Sequence, residues 1–154
     1  MKLALLFALV PMLCSGLDRF TALSLIETGD NDAMVGRAGE ISRYQVMKNE
    51  WRAITPSTSY RNADLAKQVA VKILDQRVQR FESIYKRPPT DFEFYALWNA
   101  PTQAFTGHIS RVVAERCQRF ANLCNWKDSP VAAVKSESPD SKGFPPSGTA
   151  KAKA

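Results

Sequence analysis

From Asn62 to the Pro88-Pro89 pair the chain keeps one unbroken period. Leu65, Val69, Ile73, Leu74, Val78, Phe81 and Ile84 recur at three- and four-residue intervals, with Lys67, Lys72, Asp75, Gln79 and Arg80 turned away from them. That spacing puts the apolar side chains on one face of a long helix, which needs neighbours to cover it. Pro88 and Pro89 stop the helix. Thr90-Asp91-Phe92-Glu93 then reads as a capping box that opens a further helix through Phe94, Leu97 and Trp98, up to Pro101. A last helix is predicted from near Ser110 to near Asn125, with Val112, Val113, Cys117, Phe120 and Leu123 facing inward. Upstream, Asp18 can cap a helix over Arg19 to Thr28 with Phe20, Leu23 and Ile26 on one face, and Gly29 ends it. Residues 33–47, punctuated by Gly36 and Gly39, predict at most a small strand pair. The expected fold is mainly α, with one glycine-rich loop or hairpin after the first helix.

Both ends read as something other than core. Residues 1–16, MKLALLFALVPMLCSG, have the lysine, short apolar run and small residues of a secretory signal peptide. The run is too short to span a bilayer. Leu13 fits a lipoprotein reading of Cys14 poorly, so export with cleavage is the preferred reading, to a periplasmic or extracellular place. Residues 128–154, rich in Ser, Pro, Lys and Ala, lack periodicity and predict a disordered tail. The folded unit is then 17–127, with 16 Lys and Arg against 12 Asp and Glu, a net charge of +4. An exported basic domain suggests an acidic extracellular polymer as partner. The dispersed charge and the absence of a basic-aromatic stacking motif point away from nucleic acid. Cys117 and Cys124 lie two turns apart on one predicted helix, too far for a bridge, and read as core thiols. With His108 the only histidine, a metal site of ordinary spacing cannot be assembled, and no cofactor is expected.

Three short motifs follow one another through this frame: Glu27-Thr28 closing the first helix, Gly39-Glu40-Ile41-Ser42-Arg43-Tyr44-Gln45 in the loop, and Leu97-Trp98-Asn99-Ala100-Pro101 at the end of the capping-box helix. In order and setting they resemble the lysozyme-like lytic transglycosylases of the soluble-lytic-transglycosylase and goose-type lysozyme group. There the motifs are Glu-Ser, Gly-Ala-x-Gly-Leu-Met-Gln and Ala-Tyr-Asn, and the likeness covers roughly residues 20–124. Gln45 and Asn99 match outright, and Thr28 keeps the hydroxyl of the usual serine. Ser42-Arg43-Tyr44 replaces Gly-Leu-Met, and Trp98 stands where the group has a tyrosine, so the hydrogen bond that tyrosine gives the acid is lost at this position. The resemblance implies a monomeric lysozyme-like domain acting on peptidoglycan strands, with Glu27 as the acid and Thr28, Tyr44, Gln45, Trp98 and Asn99 binding the sugars.

The chemistry asks for one such acid. Cleaving a β-1,4 glycosidic bond requires a proton on the leaving oxygen, and a carboxyl at the apolar end of a helix can hold one by desolvation. In the group resembled, the same carboxylate then takes a proton from the sugar's own 6-hydroxyl, and an anhydro ring closes without water. Hydrolysis by a lysozyme or chitinase needs a second group, and Glu40 is the candidate because it replaces an alanine of the motif. Plainer readings stand beside these. Glu27 is a solvated helix-end charge, Glu40 a salt-bridge partner of Arg37 and Arg43, Gln45 and Asn99 turn or helix-end polar groups, Trp98 and Tyr44 core rings. The altered motifs also admit a non-catalytic glycan-binding protein of the same fold.

Overall fold

The computed structural model describes residues 16–126. The expected tail, and all of the expected signal peptide but Gly16, lie outside the described residues. Within them the fold is mainly α, with six helices: α1 Arg19–Thr28, α2 Lys48–Ile54, α3 Ala63–Tyr85, α4 Asp91–Asn99, α5 Pro101–Thr106 and α6 Arg111–Cys124.

Local chemistry sets most of the helix ends. The Asp18 carboxylate accepts from the Phe20 and Thr21 amides and opens α1, and Gly29 closes it in the left-handed conformation at φ 65°. Asn62 caps α3 through the Leu65 amide. Thr90 and Glu93 complete the capping box of α4, and the Arg87 guanidinium grips Glu93 with its two terminal nitrogens at 2.7 and 2.6 Å. That pair and the capping bonds hold the Glu93 carboxyl at about 2.

Helix α4 is the centre of the domain. Phe94, Tyr95, Ala96, Leu97 and Trp98 are five consecutive buried residues, so this helix is enclosed on every side. It packs most extensively on α6, and also on α5 and α3. Phe120 of α6 stacks on Phe94 at 5.8 Å and on Tyr95 at 5.3 Å between ring centroids, while Phe20 of α1 meets Phe94 edge-on at 6.0 Å. Helix α2 packs on α3, and its Trp51 is fully buried and donates its indole N–H to the Ser57 carbonyl at 2.7 Å.

Several sequence expectations change. Helices α2 and α5 were not legible as periodic stretches, because each is under eight residues with one buried side chain, Trp51 or Ala104. The expected strand pair reduces to a single antiparallel bridge between Ile41 and Val46. Val112, expected to face inward, points outward at 67% exposure, and Ile84, expected on the apolar face of α3, is exposed. The thiols of Cys117 and Cys124 are free, with Cys117 buried and Cys124 only half-buried.

Trp51→Ala is expected to lower the unfolding free energy by about 3–5 kcal/mol, the range for truncating a large buried aromatic. Denaturant unfolding measures it, and a loss under about 1 kcal/mol would show that α2 does not depend on this anchor.

Candidate active site

The left-handed end of α1 turns the chain into a loop, 29–47, that is fastened from both sides. Arg43 holds Asp32 through two bonds of 2.6 and 2.8 Å, and reaches Asp30 at 3.5 Å. Asp30 in turn accepts from Ser24 of α1. Thr28 donates to the Arg43 carbonyl at 2.9 Å and accepts from the Asn31 amide at 3.1 Å. Ser42 and Gln45 both sit at positive φ, 65° and 54°, where non-glycine residues are uncommon outside turns and functional sites. The turn they make sends neighbouring side chains opposite ways, Tyr44 into the core and Gln45 out. Gly36 matters here for close approach. A Cβ at this position would overlap both the Glu40 carboxylate and the Gln45 side-chain oxygen, so a larger residue here would push the ends of those two side chains aside.

Together these elements wall an open cleft of about 680 Å³ lined by Glu27, Arg37, Glu40, Gln45, Met47, Asn49, Glu50, Arg77, Trp98, Asn99, Pro101 and Arg116. Of the residues singled out from sequence, Glu27, Glu40, Gln45, Trp98 and Asn99 therefore meet in one depression. Two do not. Tyr44, expected to line the sugar sites, is 3% exposed and packs edge-on against Phe20 at 6.4 Å. Thr28, expected to bind sugar, spends its hydroxyl on the loop clip. Glu40 also differs from its plain reading. Its carboxylate accepts from the Ala38 amide at 2.9 Å, and Arg43 is held by Asp32 and Asp30 instead.

A hydroxyl reaches Glu27 from one turn before Trp98 on α4. Tyr95, which is 1% exposed, donates to Glu27 Oε1 at 2.9 Å. Tyr95 and Asn99 are four residues apart and so share a helix face, the signal by which the sequence could have yielded this tyrosine. Burial lifts the Glu27 carboxyl above the ordinary glutamate range and nearby Glu40 adds to the rise, while the Tyr95 hydroxyl and the Arg116 cation hold it back. Burial and the Glu27 charge both raise the Tyr95 phenol, which keeps its proton and remains the donor.

Arg77 was also unread in the sequence. From α3 it donates to the Leu97 and Trp98 carbonyls at 2.9 and 3.0 Å, pairs with Glu50 of α2, and lies 5.6 Å from the Trp98 ring centroid. It satisfies carbonyls that the end of α4 leaves unpaired, and so fixes where Trp98 and Asn99 enter the cleft.

Among the described residues no cluster of histidine, cysteine or carboxylate side chains is arranged to hold a metal ion, and no helix is long and apolar enough to cross a membrane. Comparison of the chain with protein-family models, with curated proteins and with solved structures finds no match.

A carboxyl whose folded pKa is raised contributes its full stability below the unfolded value and loses it as pH rises through the folded value. Glu27→Gln keeps an acceptor for Tyr95 and removes the buried charge. Calorimetry is expected to find the variant melting above wild type at neutral pH, with the difference closing as pH falls to about 4, where the unfolded glutamate also binds a proton. A variant that melts lower than wild type at neutral pH would contradict the burial cost assigned to Glu27.

Proposed function

We propose that this protein cleaves the glycan strands of peptidoglycan as an exported, monomeric lytic transglycosylase with Glu27 as acid and base. The observation that carries the reading is the Glu27 carboxyl itself: half-buried at the wall of an open cleft, held by Tyr95, and raised toward its protonated form. The order of motifs and the gathering of Gln45, Trp98 and Asn99 around that carboxyl support it further.

In this reading the protonated Glu27 gives its proton to the oxygen leaving C1 of a muramyl residue as the glycosidic bond breaks. The carboxylate that remains takes the proton of the same sugar's 6-hydroxyl, whose oxygen bonds to C1 and closes the anhydro ring. One bond breaks, one forms, and Glu27 ends protonated. Each half of the cycle has its own support. Burial favours the acid before cleavage, whereas the Tyr95 hydroxyl and Arg116 stabilise the carboxylate after it. The Trp98 edge, 9% exposed, and the polar ends of Gln45 and Asn99 would orient the sugar, with no cofactor involved.

A second reading rests on Glu40, which lies in the same cleft and presses on Glu27 electrostatically. If it directs a water, the protein is a hydrolase of the lysozyme or chitinase type.

Digestion of purified sacculi with mass spectrometry of the products separates the readings. Wild type is expected to release 1,6-anhydromuramyl ends, Glu27→Gln to lose at least about a hundredfold in rate, and Glu40→Ala to lose under about tenfold. Reducing ends, heavier by one water, together with a Glu40→Ala loss of about 10²–10⁴ would make Glu40 the general base and the protein a hydrolase. Retention of sacculi with no cleavage would leave a glycan-binding protein.

A further inference from the structure

Glu27 stands at the junction of two depressions. Beyond the main cleft lies a second, of about 420 Å³, lined by Leu25, Ile26, Glu27, Tyr95, Arg116 and Arg119. Glu27 and Arg116 belong to both. The two depressions thus adjoin at the candidate acid.

The two sides differ in charge. The main cleft mixes three carboxylates, Glu27, Glu40 and Glu50, with the three guanidinium groups of Arg37, Arg77 and Arg116. The second depression has two guanidinium groups and Glu27 alone. Arg116 and Arg119 are three residues apart on α6, on adjoining turns of one face, and both are exposed. Among the described residues the α6 arginine that pairs with a carboxylate is Arg111, with Glu115 at 3.1 Å, and Arg116 and Arg119 pair with none. Two unpaired guanidinium groups on one wall present forked donors suited to a carboxylate.

We infer that Arg116 and Arg119 form a seat for a carboxylate carried on the substituent of the muramyl ring, so that the site selects charged strands over neutral chitin-like ones. This rests on the proposed glycan-cleaving function and names its selectivity. The seat also bears on the acid. Glu27 is faced by the Tyr95 hydroxyl from α4, by Glu40 from the loop and by Arg116 from α6. An anion held on Arg116 cancels that cation's pull, which shifts the Glu27 pKa further upward when a strand is bound than when the cleft is empty.

The test is calorimetric binding on a Glu27→Gln background, which blocks turnover, with cleavage by the otherwise wild-type protein run in parallel. The ligands are strands bearing peptide stems, strands stripped by an amidase so that only the lactyl carboxylate remains, and chitohexaose. Replacing both arginines, Arg116→Gln with Arg119→Gln, is expected to weaken the charged strands about tenfold or more and to collapse their preference over chitohexaose. The Lys pair is expected to restore part of that preference, which a loss of shape alone would not allow. Loss confined to stem-bearing strands assigns the carboxylate to the peptide, and loss on both assigns it to the lactyl group. A preference for charged strands that survives the double Gln replacement, alongside Glu27-dependent cleavage by the protein that keeps both arginines, overturns the seat and leaves the proposed function standing. Arginine-dependent binding without any Glu27-dependent cleavage supports the seat and overturns the enzyme. A wild-type protein that binds none of the three overturns both.

Discussion

Enclosure of α4 is the constraint from which the rest of the domain follows. A helix with five successive buried residues has no solvent face, so each neighbour is placed by what it must cover. Phe120 brings α6 onto it and Phe20 brings α1, while charged contacts fix its ends. Arg19 holds Asp91 at 2.8 Å at the start, and Arg77 caps the Leu97 and Trp98 carbonyls at the finish. With α4 fixed along its axis, Tyr95 can meet Glu27 across from α1, and Trp98 and Asn99 open onto the cleft. Site and core are thus one piece of packing, and the hydroxyl that orients the candidate acid comes from a fully buried ring.

The electrostatics of the site express a compromise rather than a maximum. A carboxyl meant only to stay protonated would be surrounded by apolar atoms. Glu27 instead has burial and Glu40 pushing one way, and Tyr95 and Arg116 pulling the other. That balance suits a group that must give a proton and then accept one within a single turnover. It also distinguishes Glu27 from the domain's structural carboxylates. Asp32 and Glu93 are held below their ordinary values by Arg43 and Arg87.

What could be read from the sequence was what local chemistry decides. The α3 stripe, the Thr90–Glu93 box and the Asp18 cap are complete within one or two turns of chain, and each has its helix in the structure. Glu27, Glu40, Gln45, Trp98 and Asn99, each carried by one of three short motifs, line one cleft. What stayed hidden depends on partners far away in sequence. Arg77 looks like one more charge beside Val78 until the α4 carbonyls lie under it, and Arg116 gains meaning only beside Glu27. Tyr95 is hidden because the motif places its aromatic residue next to Asn99, whereas a helix brings residues four apart to one face. Tyr44 was assigned to the cleft from its place in a motif, but the left-handed turn at Ser42 and Gln45 rotates it into the core.

Everything proposed for the cleft depends on Glu27 being a carboxyl whose pKa burial raises and which Tyr95 orients. Titration of the Glu27 side-chain carboxyl by ¹³C NMR in the intact protein tests this without reference to any substrate. The account predicts a midpoint above the ordinary glutamate value of about 4.3, moving higher still in Tyr95→Phe because the bond that favours the carboxylate is gone. A midpoint at or below that ordinary value, unmoved by loss of the hydroxyl, would mean that Glu27 is a solvated charge and that the cleft holds no acid.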